Sequence, residues 1–127
     1  MTFTAGSTPE QFVDRYLRVW NEPDPGTRQE LVRLLWAPDA VEYTEAQEYR
    51  SHQALDDRVS GAYTKFVEEG GYVFRLEADP GAHHGAVLIP VEMVPREGGA
   101  PVWTGTIIAF LDDDGRIERE YQFGRDT

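Results

Sequence analysis

The chain has 127 residues, of which 40% are hydrophobic and 12% aromatic, so it is long enough for one hydrophobic core and too short for two ordinary domains. We therefore expect a single domain over residues 1–127. Its 23 acidic and 12 basic residues give a formal net charge of -11, which argues against nucleic acid and acidic membrane surfaces as partners, because both attract a basic face.

The amino-terminal residues are not expected to direct export. Residues 1–7 have neither the basic start nor the apolar run of a signal peptide, and no stretch of the chain approaches the length of a membrane span. The chain also has no cysteine, which excludes disulfides, thiol nucleophiles and thiolate metal sites and suits a reducing compartment. These features predict a cytoplasmic protein.

Helix-start patterns occur three times in the first half of the chain. Residues 8–11 (Thr-Pro-Glu-Gln) form a capping box, and an apolar stripe follows at helical spacing. Residues 27–30 (Thr-Arg-Gln-Glu) form a second capping box, which predicts a short helix that stops near residues 37–38. Ser51 is expected to cap a third, longer helix that the glycines at 70–71 close.

After Gly71 the hydrophobic period changes from that of a helix to two. This alternation predicts four strands, at residues 72–77, 82–94, 101–111 and 116–123. Hairpin-turn sequences that end in glycine, at 96–99 and 112–115, make the last three strands an antiparallel meander, and a brief strand is expected at 41–43. Three helices before a meander predict an α+β domain with its helices packed on one face of the sheet.

Three stretches of the chain resemble the nuclear transport factor 2-like superfamily, and within it the SnoaL-like proteins and the ketosteroid isomerases. They are residues 15–21, 36–41 and 110–117, and the resemblance runs from about residue 9 to residue 123. It implies a cone-shaped, cystatin-like fold in which three N-terminal helices and a strongly curved antiparallel sheet enclose a pocket for a small, largely apolar molecule. The superfamily contains isomerases, cyclases, dehydratases, epoxide hydrolases and non-catalytic binders, so the fold alone does not decide an activity.

The resemblance also implies site residues. Tyr16 matches the phenol that donates to the enolate oxygen in ketosteroid isomerases, although a tyrosine on an apolar helix face can equally be a packing residue. Glu45 falls at or within one residue of the proton-shuttling aspartate of those enzymes, with a solvated loop acid as the alternative. Their second oxyanion-hole acid should fall at Ile107, which cannot donate a hydrogen bond. Classical steroid isomerisation is therefore not expected.

Two arguments conflict over Glu120. Simple alternation pairs Ile117 with Tyr121 and leaves Glu120 and Gln122 on a solvated face. The family register instead turns Glu120 and Gln122 toward the pocket, where Glu120 would be a second candidate acid or base. A shift of one residue in the register exchanges the two faces, so both alternatives stay open.

The remaining candidates concern the pocket wall. His83 and His84 are adjacent on a predicted strand and should point to opposite faces, so they are not expected to hold one ion together. One of them, taken as His84, is expected to face the pocket, with an exposed position as the alternative. The full expected lining is Trp20, Trp36, Tyr43, Tyr63, Phe66, Phe74, His84, Val87, Ile89, Trp103, Ile107 and Gln122.

These observations favour a cofactor-independent enzyme. The expected reaction is acid/base proton transfer, as in cyclisation, isomerisation or dehydration, on an apolar or polyketide-like carbonyl compound, with Tyr16 as donor and Glu45 or Glu120 as base. A non-catalytic protein that binds a small hydrophobic ligand is the alternative, and an interaction module is a third. No metal or cofactor is expected, because the sequence has no metal-ligand spacing and no glycine-rich phosphate loop. A homodimer is expected through the outer sheet face, where Ile108 and Phe110 are apolar.

Overall fold

The computed structural model describes residues 8–125. The first seven residues, on which the prediction about export rests, and the last two lie outside this range. Within it the chain forms three α-helices, a π-helical segment and seven strands. The helices are α1 (Pro9–Asn21), α2 (Pro25–Leu35) and α3 (Ser51–Ala62), which continues as the π-helical segment Tyr63–Glu69. The strands are β1 (Trp36–Tyr43), β2 (Glu48–Arg50), β3 (Tyr72–Leu76), β4 (Gly81–His83), β5 (Ala86–Pro95), β6 (Trp103–Leu111) and β7 (Ile117–Arg125).

Helices α1 and α2 begin at side-chain caps, whereas Arg50 is the N-cap residue of α3 and makes no capping hydrogen bond, so the predicted capping residues of α2 and α3 were both wrong. The predicted capping box of α1 is confirmed, since Thr8 Oγ1 accepts from the Gln11 N–H at 3.1 Å and Gln11 Oε1 accepts from the Thr8 N–H at 2.8 Å. For α2 the prediction of a cap at Thr27 was wrong. Asp24 caps this helix by accepting from the Thr27 N–H at 2.8 Å, because Pro25 is already suited to the first helical position.

One predicted strand is divided by a tight turn. The stretch predicted at residues 82–94 forms β4 and β5, which pair antiparallel with Ala82 opposite Val87. His84 and Gly85 join them with backbone φ angles of 52° and 80°, in the left-handed region that a strand does not enter. The alternating hydrophobic pattern did not predict this turn, because histidines at positions 83 and 84 are compatible with a strand.

The sheet is curved, open and mixed rather than wholly antiparallel. Its strand order is β2-β1-β7-β6-β5-β3, with β4 beside β5. Strands β1 and β7 are parallel, and the other pairs are antiparallel. The prediction of an α+β domain with three helices against a curved sheet is confirmed. The parallel pair arises because β1, predicted as residues 41–43, extends from Trp36 and joins the meander beside its last strand.

A β-bulge in β7 resolves the conflict over its two faces. Leu111 pairs with Ile117, whereas the neighbouring Phe110 pairs with Arg119, so Glu118 is an extra residue in the ladder. Ile117 and Glu120 therefore point to the same inner face, and each has 0% of its surface exposed. Strict alternation had placed them on opposite faces.

The core lies between the helices and the inner face of the sheet. Its largest fully buried side chains include Phe12 and Tyr16 of α1, Trp36 of β1, Leu55 of α3 and Ile89 of β5. Among residues 8–125, no helix combines the length and the apolar character needed to cross a membrane. The core fills one end of the space under the sheet, and a cavity remains at the other.

Candidate functional site

The cavity has a volume of about 410 Å³, within the range of about 300–1,000 Å³ that small-molecule sites occupy. Its aliphatic lining residues are Leu17, Ala62, Val91, Met93, Val102 and Ile107. Its aromatic lining residues are Trp20, Phe66, Phe74 and Trp103. Polar side chains enter the wall at Tyr16, Arg58 and Gln122. The cavity is thus apolar, with a small polar group at the side nearest the core.

Glu120 lies behind Tyr16, under the cavity wall. One oxygen of its carboxyl group accepts a hydrogen bond from the Tyr16 hydroxyl at 2.7 Å, and the other accepts from Trp36 Nε1 at 2.6 Å. Burial, and after it the neighbouring charge of Glu42, raise the pKa of Glu120 well above its usual range. Burial and the adjacent Glu120 likewise raise the pKa of Tyr16. The tyrosine therefore stays protonated and connects the cavity to a carboxyl group that favours its neutral form.

Glu42 is the second buried acid and the neighbour of Glu120. The two residues are partners in the parallel register of β1 and β7. Glu42 has 0% exposure and pairs with Arg58 Nε, which reaches it from α3. Burial raises the pKa of Glu42, although the positive charge of Arg58 opposes the shift.

The Glu42–Glu120 pair has one cation for two carboxyl groups. Two carboxyl groups in a shared buried site do not both ionise readily, because their charges repel and neither is hydrated. Glu42 Oε2 has no donor partner among the described residues, and a proton on Glu120 directed at Glu42 would give it one. The arrangement is electrically neutral when Glu120 is protonated and Glu42 is ionised against Arg58.

Arg58 is held in place on all sides. Its guanidinium carbon lies 5.2 Å from the centroid of the Trp20 ring and 4.8 Å from that of Tyr49. Its Nη2 donates to Gln122 Oε1 at 3.2 Å. Burial opposes its charge, but Glu42 outweighs burial and raises the pKa of Arg58. Arg58 therefore presents a fixed positive charge at the wall of an otherwise apolar cavity.

Several residues expected in the wall lie elsewhere. Val87 and Ile89 are fully buried in the core, whereas Val91 and Met93, further along β5, line the cavity. Trp36 is also in the core and faces Glu120. Tyr43 stacks on Tyr121, with ring centroids 4.9 Å apart, and Tyr63 lies under Arg28, whose guanidinium carbon is 4.4 Å from its ring centroid. The expected Trp20, Phe66, Phe74, Trp103, Ile107 and Gln122 do line the cavity.

Glu45 lies away from the cavity. It is exposed in the turn after β1, where its Oε1 accepts a hydrogen bond from the Gly124 N–H at 3.2 Å. It is not among the described lining residues of the cavity. The structure thus brings Tyr16 and Glu120 together and leaves Glu45 apart from both.

The histidines are also outside the cavity. His83 and His84 are exposed at the turn between β4 and β5, and the prediction that they point to opposite faces was wrong. The left-handed turn at His84 brings their Nδ1 atoms within 3.1 Å of each other. Within residues 8–125, no three histidine, aspartate or glutamate side chains are placed together as metal ligands.

Sequence reasoning missed Glu42 and Arg58, although a pattern for Arg58 was present. Leu55, Arg58, Val59 and Ala62 follow one another at the spacing of a single helix face. A charged residue on a buried face requires a partner of opposite charge, which is a reason to search for a buried acid. Glu42 lies two residues after Ala40 on β1. No sequence pattern distinguishes it as a buried acid, because acids are common in this part of the chain.

Solved structures with the same architecture support the resemblance found in the sequence. Neither a family model nor a curated protein matches the chain. A SnoaL-like family member from Agrobacterium tumefaciens, described as a candidate isomerase, is 26% identical over 92% of this chain and 97% of its own, with a TM-score of 0.82. A candidate polyketide cyclase from Sinorhizobium meliloti is 22% identical over 91% of this chain and 99% of its own, with a TM-score of 0.65. A SnoaL-like protein of unknown function from Burkholderia thailandensis is 11% identical over 93% of this chain and 95% of its own, with a TM-score of 0.72.

The chain therefore has the nuclear transport factor 2-like fold, and its structural neighbours are SnoaL-like and nuclear transport factor 2-like proteins.

Proposed function

We propose that the chain is a cofactor-independent enzyme that transfers a proton on a small, apolar carbonyl compound. The observation that carries this proposal is the position of Tyr16. Its side chain lies in the cavity wall while its hydroxyl donates to the buried Glu120 at 2.7 Å. A ligand in the cavity can thus exchange a proton with a buried carboxyl group through one hydroxyl.

The proposed step is a two-proton relay. The Tyr16 hydroxyl turns from Glu120 to the substrate oxygen and gives up its proton there, and the proton that Glu120 shares with Glu42 replaces it. In the same step water takes a proton from the carbon next to the carbonyl group, which forms the enol and H₃O⁺, and the reverse sequence restores the enzyme. A positioned acid of this kind contributes about 10²–10⁴-fold to a rate, provided that it holds its proton near the working pH. The pKa of Glu120 is shifted in the direction that this condition requires, because burial and the charge of Glu42 raise it.

Enolisation is a step shared by isomerisation, cyclisation and dehydration of carbonyl compounds. Arg58 assists because a fixed positive charge in an apolar cavity favours negative charge developing on the substrate oxygen. Ile107 lines the cavity and offers no hydrogen bond, as expected from the sequence. The site therefore differs from that of a ketosteroid isomerase in relying on Arg58 and a tyrosine backed by glutamate.

Deuterium exchange tests the proposal without knowledge of the natural substrate. The bicyclic ketone 2-tetralone is incubated with the protein in deuterated buffer, and loss of its α-protons is followed by NMR. We expect catalysed exchange by the native protein and a loss of at least about 100-fold in Tyr16→Phe, which keeps the ring and removes the hydroxyl. Equal exchange by both proteins would rule out the relay.

A binding protein without turnover is the second candidate. One observation favours it: Glu42 and Glu120 both lie under the wall, and no carboxylate is among the lining residues of the described chain. In that case Tyr16, Arg58 and Gln122 only orient the ligand. Tight binding of 2-tetralone with no exchange above the buffer rate would favour this candidate.

We propose a homodimer through the outer face of the sheet. Leu88, Ile108 and Tyr121 are lateral neighbours on β5, β6 and β7, and Leu88 is 44% exposed. Phe123, on the same side of β7 as Tyr121, is 48% exposed. Light scattering should give twice the chain mass for the native protein and the chain mass for Leu88→Lys. A monomeric native protein would contradict the dimer.

A further inference from the structure

One side of the cavity offers hydrogen-bond donors. Trp20, Arg58 and Gln122 meet there, since the Arg58 guanidinium carbon lies 5.2 Å from the Trp20 ring centroid and Arg58 Nη2 donates to Gln122 Oε1 at 3.2 Å. All three residues line the cavity. We call them the donor edge.

Arg58 determines which atoms of Gln122 remain free. A guanidinium group has donors and no acceptor, so it takes the amide oxygen and leaves the amide hydrogens on Nε2. Within residues 8–125, neither Gln122 Nε2 nor Arg58 Nη1 has a hydrogen-bond partner. The amide cannot turn its oxygen to a ligand without breaking its bond to Arg58. The contact with Arg58 therefore fixes the orientation of the Gln122 amide, and its N–H groups remain available to a ligand.

Trp20 supplies the third donor, and it is unsatisfied. Its side chain lies in the cavity wall and is only 7% exposed, and its Nε1 has no hydrogen-bond partner within the described chain. Buried tryptophan N–H groups usually have a partner, because an unpaired buried donor is unfavourable. The Nε1 atom is itself buried, so a small turn of the Trp20 ring toward the cavity would be needed for an oxygen atom of a ligand beside Arg58 to become that partner.

The buried carboxyl groups near these donors are closed to the cavity. Both oxygens of Glu120 are occupied by Tyr16 and Trp36, and Glu42 is fully buried against Arg58. Among the polar side chains in the described wall, the Tyr16 hydroxyl oxygen and Gln122 Oε1 can still accept a hydrogen bond, and Gln122 Oε1 already accepts one from Arg58. A ligand hydroxyl or amine placed at the donor edge would therefore lose its bond to water and gain only an acceptor that Arg58 already occupies.

We propose that the donor edge selects apolar compounds that present ketone or enolate oxygens there, and discriminates against those that present hydroxyl or amine groups. Trp20, Arg58 and Gln122 are then the specificity-determining residues. This inference rests on the proposed function in taking the same cavity as the substrate site. It concerns binding, so it can be tested apart from turnover.

Four probes with one tricyclic skeleton test the selection. Fluorene, 9-fluorenone, 9-fluorenol and 9-aminofluorene carry a methylene, a ketone, a hydroxyl and an amine at the same carbon. None of them has an enolisable proton beside a carbonyl group, so the measurement reports binding alone. Affinities are measured by quenching of tryptophan fluorescence and checked by calorimetry.

The ketone should bind best. A hydrogen bond to a charged donor predicts a Kd for 9-fluorenone at least about tenfold below that for fluorene. We expect 9-fluorenol between the two and 9-aminofluorene weakest, because Arg58 repels a cationic amine. Equal affinity for ketone and hydrocarbon, or no binding of either, would overturn the inference.

Two conservative variants separate the donor edge from general packing. Gln122→Glu keeps the side-chain shape but replaces the amide donor with an acceptor, so the preference for 9-fluorenone over 9-fluorenol should shrink or invert. Trp20→Phe removes the N–H and should weaken 9-fluorenone while leaving fluorene nearly unchanged. A purely structural role for either residue would weaken all four probes alike and contradict the assignment.

The binding test of the donor edge and the exchange test of the proton relay can fail separately. A clear preference for 9-fluorenone, without catalysed exchange of 2-tetralone, would support the donor edge and contradict the proton relay. Catalysed exchange without any preference among the four probes would support the relay and overturn the donor edge.

Discussion

Glu42 and Glu45 are three residues apart and have opposite surroundings. Glu42 is on the inner face of β1 with 0% exposure, beside Glu120 and in contact with Arg58. Glu45 is exposed in the following turn and accepts one backbone hydrogen bond from Gly124. The difference comes from the partners that the fold supplies, since β7 and α3 cover Glu42 and neither covers Glu45.

The comparison shows which acid is suited to proton chemistry. Burial beside a like charge raises the pKa of a carboxyl group and favours its protonated form. The structure places two such buried groups behind a hydroxyl in the cavity wall. The predictions below test whether the buried pair, rather than the exposed acid, carries the function.

The largest expected effect is on activity. Glu120→Gln keeps the size of the side chain but removes the proton that it supplies to Tyr16, so exchange of 2-tetralone should fall by at least about 100-fold. Glu45→Gln should leave the exchange rate close to that of the native protein. The reverse result, with exchange lost only in Glu45→Gln, would restore the exposed acid as the base.

The next effect is on stability. Arg58→Met leaves Glu42 buried without its cation, and removal of one partner of a buried ion pair costs about 3–5 kcal/mol of unfolding free energy. Urea denaturation at pH 7 measures this cost. Replacing both partners, as Glu42→Leu with Arg58→Met, should recover most of it, because a buried pair and an apolar pair of similar size are close in stability. A double variant as unstable as the single one would contradict the pairing.

Two glycines should respond in opposite directions. A methyl group at Gly105 would overlap the Trp103 ring in the cavity wall and lie 3.1 Å from the Phe123 carbonyl oxygen, so Gly105→Ala should cost about 1–3 kcal/mol. Gly61, on α3, has no atom within 4 Å of that position, so Gly61→Ala should stabilise the chain by about 0.5–1 kcal/mol. Thermal unfolding distinguishes the two. Equal shifts would mean that Trp103 does not pack over Gly105.

The smallest effect is a slope in the pH dependence of stability. The pKa of Glu120 is raised in the folded chain, so from about pH 4.3 up to that pKa the folded state keeps a proton that the unfolded chain releases. The free energy of unfolding should therefore fall as the pH rises through this window, by at most about 1.4 kcal/mol per pH unit for one proton. Urea titrations between pH 5 and 8 should show a shallower slope in Glu120→Gln. If the free energy of unfolding has the same pH dependence in both proteins, Glu120 is not the group that holds the extra proton in the folded state.

Much of the fold could be predicted because local chemistry determines it. The capping box at Thr8 and the change of period after Gly71 each depend on neighbouring residues, and both predictions are confirmed. The division of β4 from β5 was missed because it depends on a left-handed residue, His84, whose side chain does not require that conformation. The cytoplasmic location and the single domain over residues 1–127 stay predictions.

The site was harder to predict because it depends on pairings between distant strands. Tyr16 and Glu120 were both identified as candidates, but their contact joins residues 104 positions apart. The inward orientation of Glu120 depends on the bulge at Glu118, which alternation cannot reveal. Glu42 became significant only once β1 lay parallel to β7, a pairing that no local pattern indicates.

The proton shared by Glu42 and Glu120 is the central claim, and carbon NMR of glutamate carboxyl groups tests it most directly. The protein is labelled with ¹³C at the glutamate side-chain carboxyl, and spectra of Glu42→Gln and Glu120→Gln assign the two signals. We predict that one carboxyl group of the pair stays protonated well above the usual glutamate pKa of about 4.3, and that its signal is absent in Glu120→Gln. If every glutamate titrates near the usual value, the buried pair holds no proton and the account is contradicted.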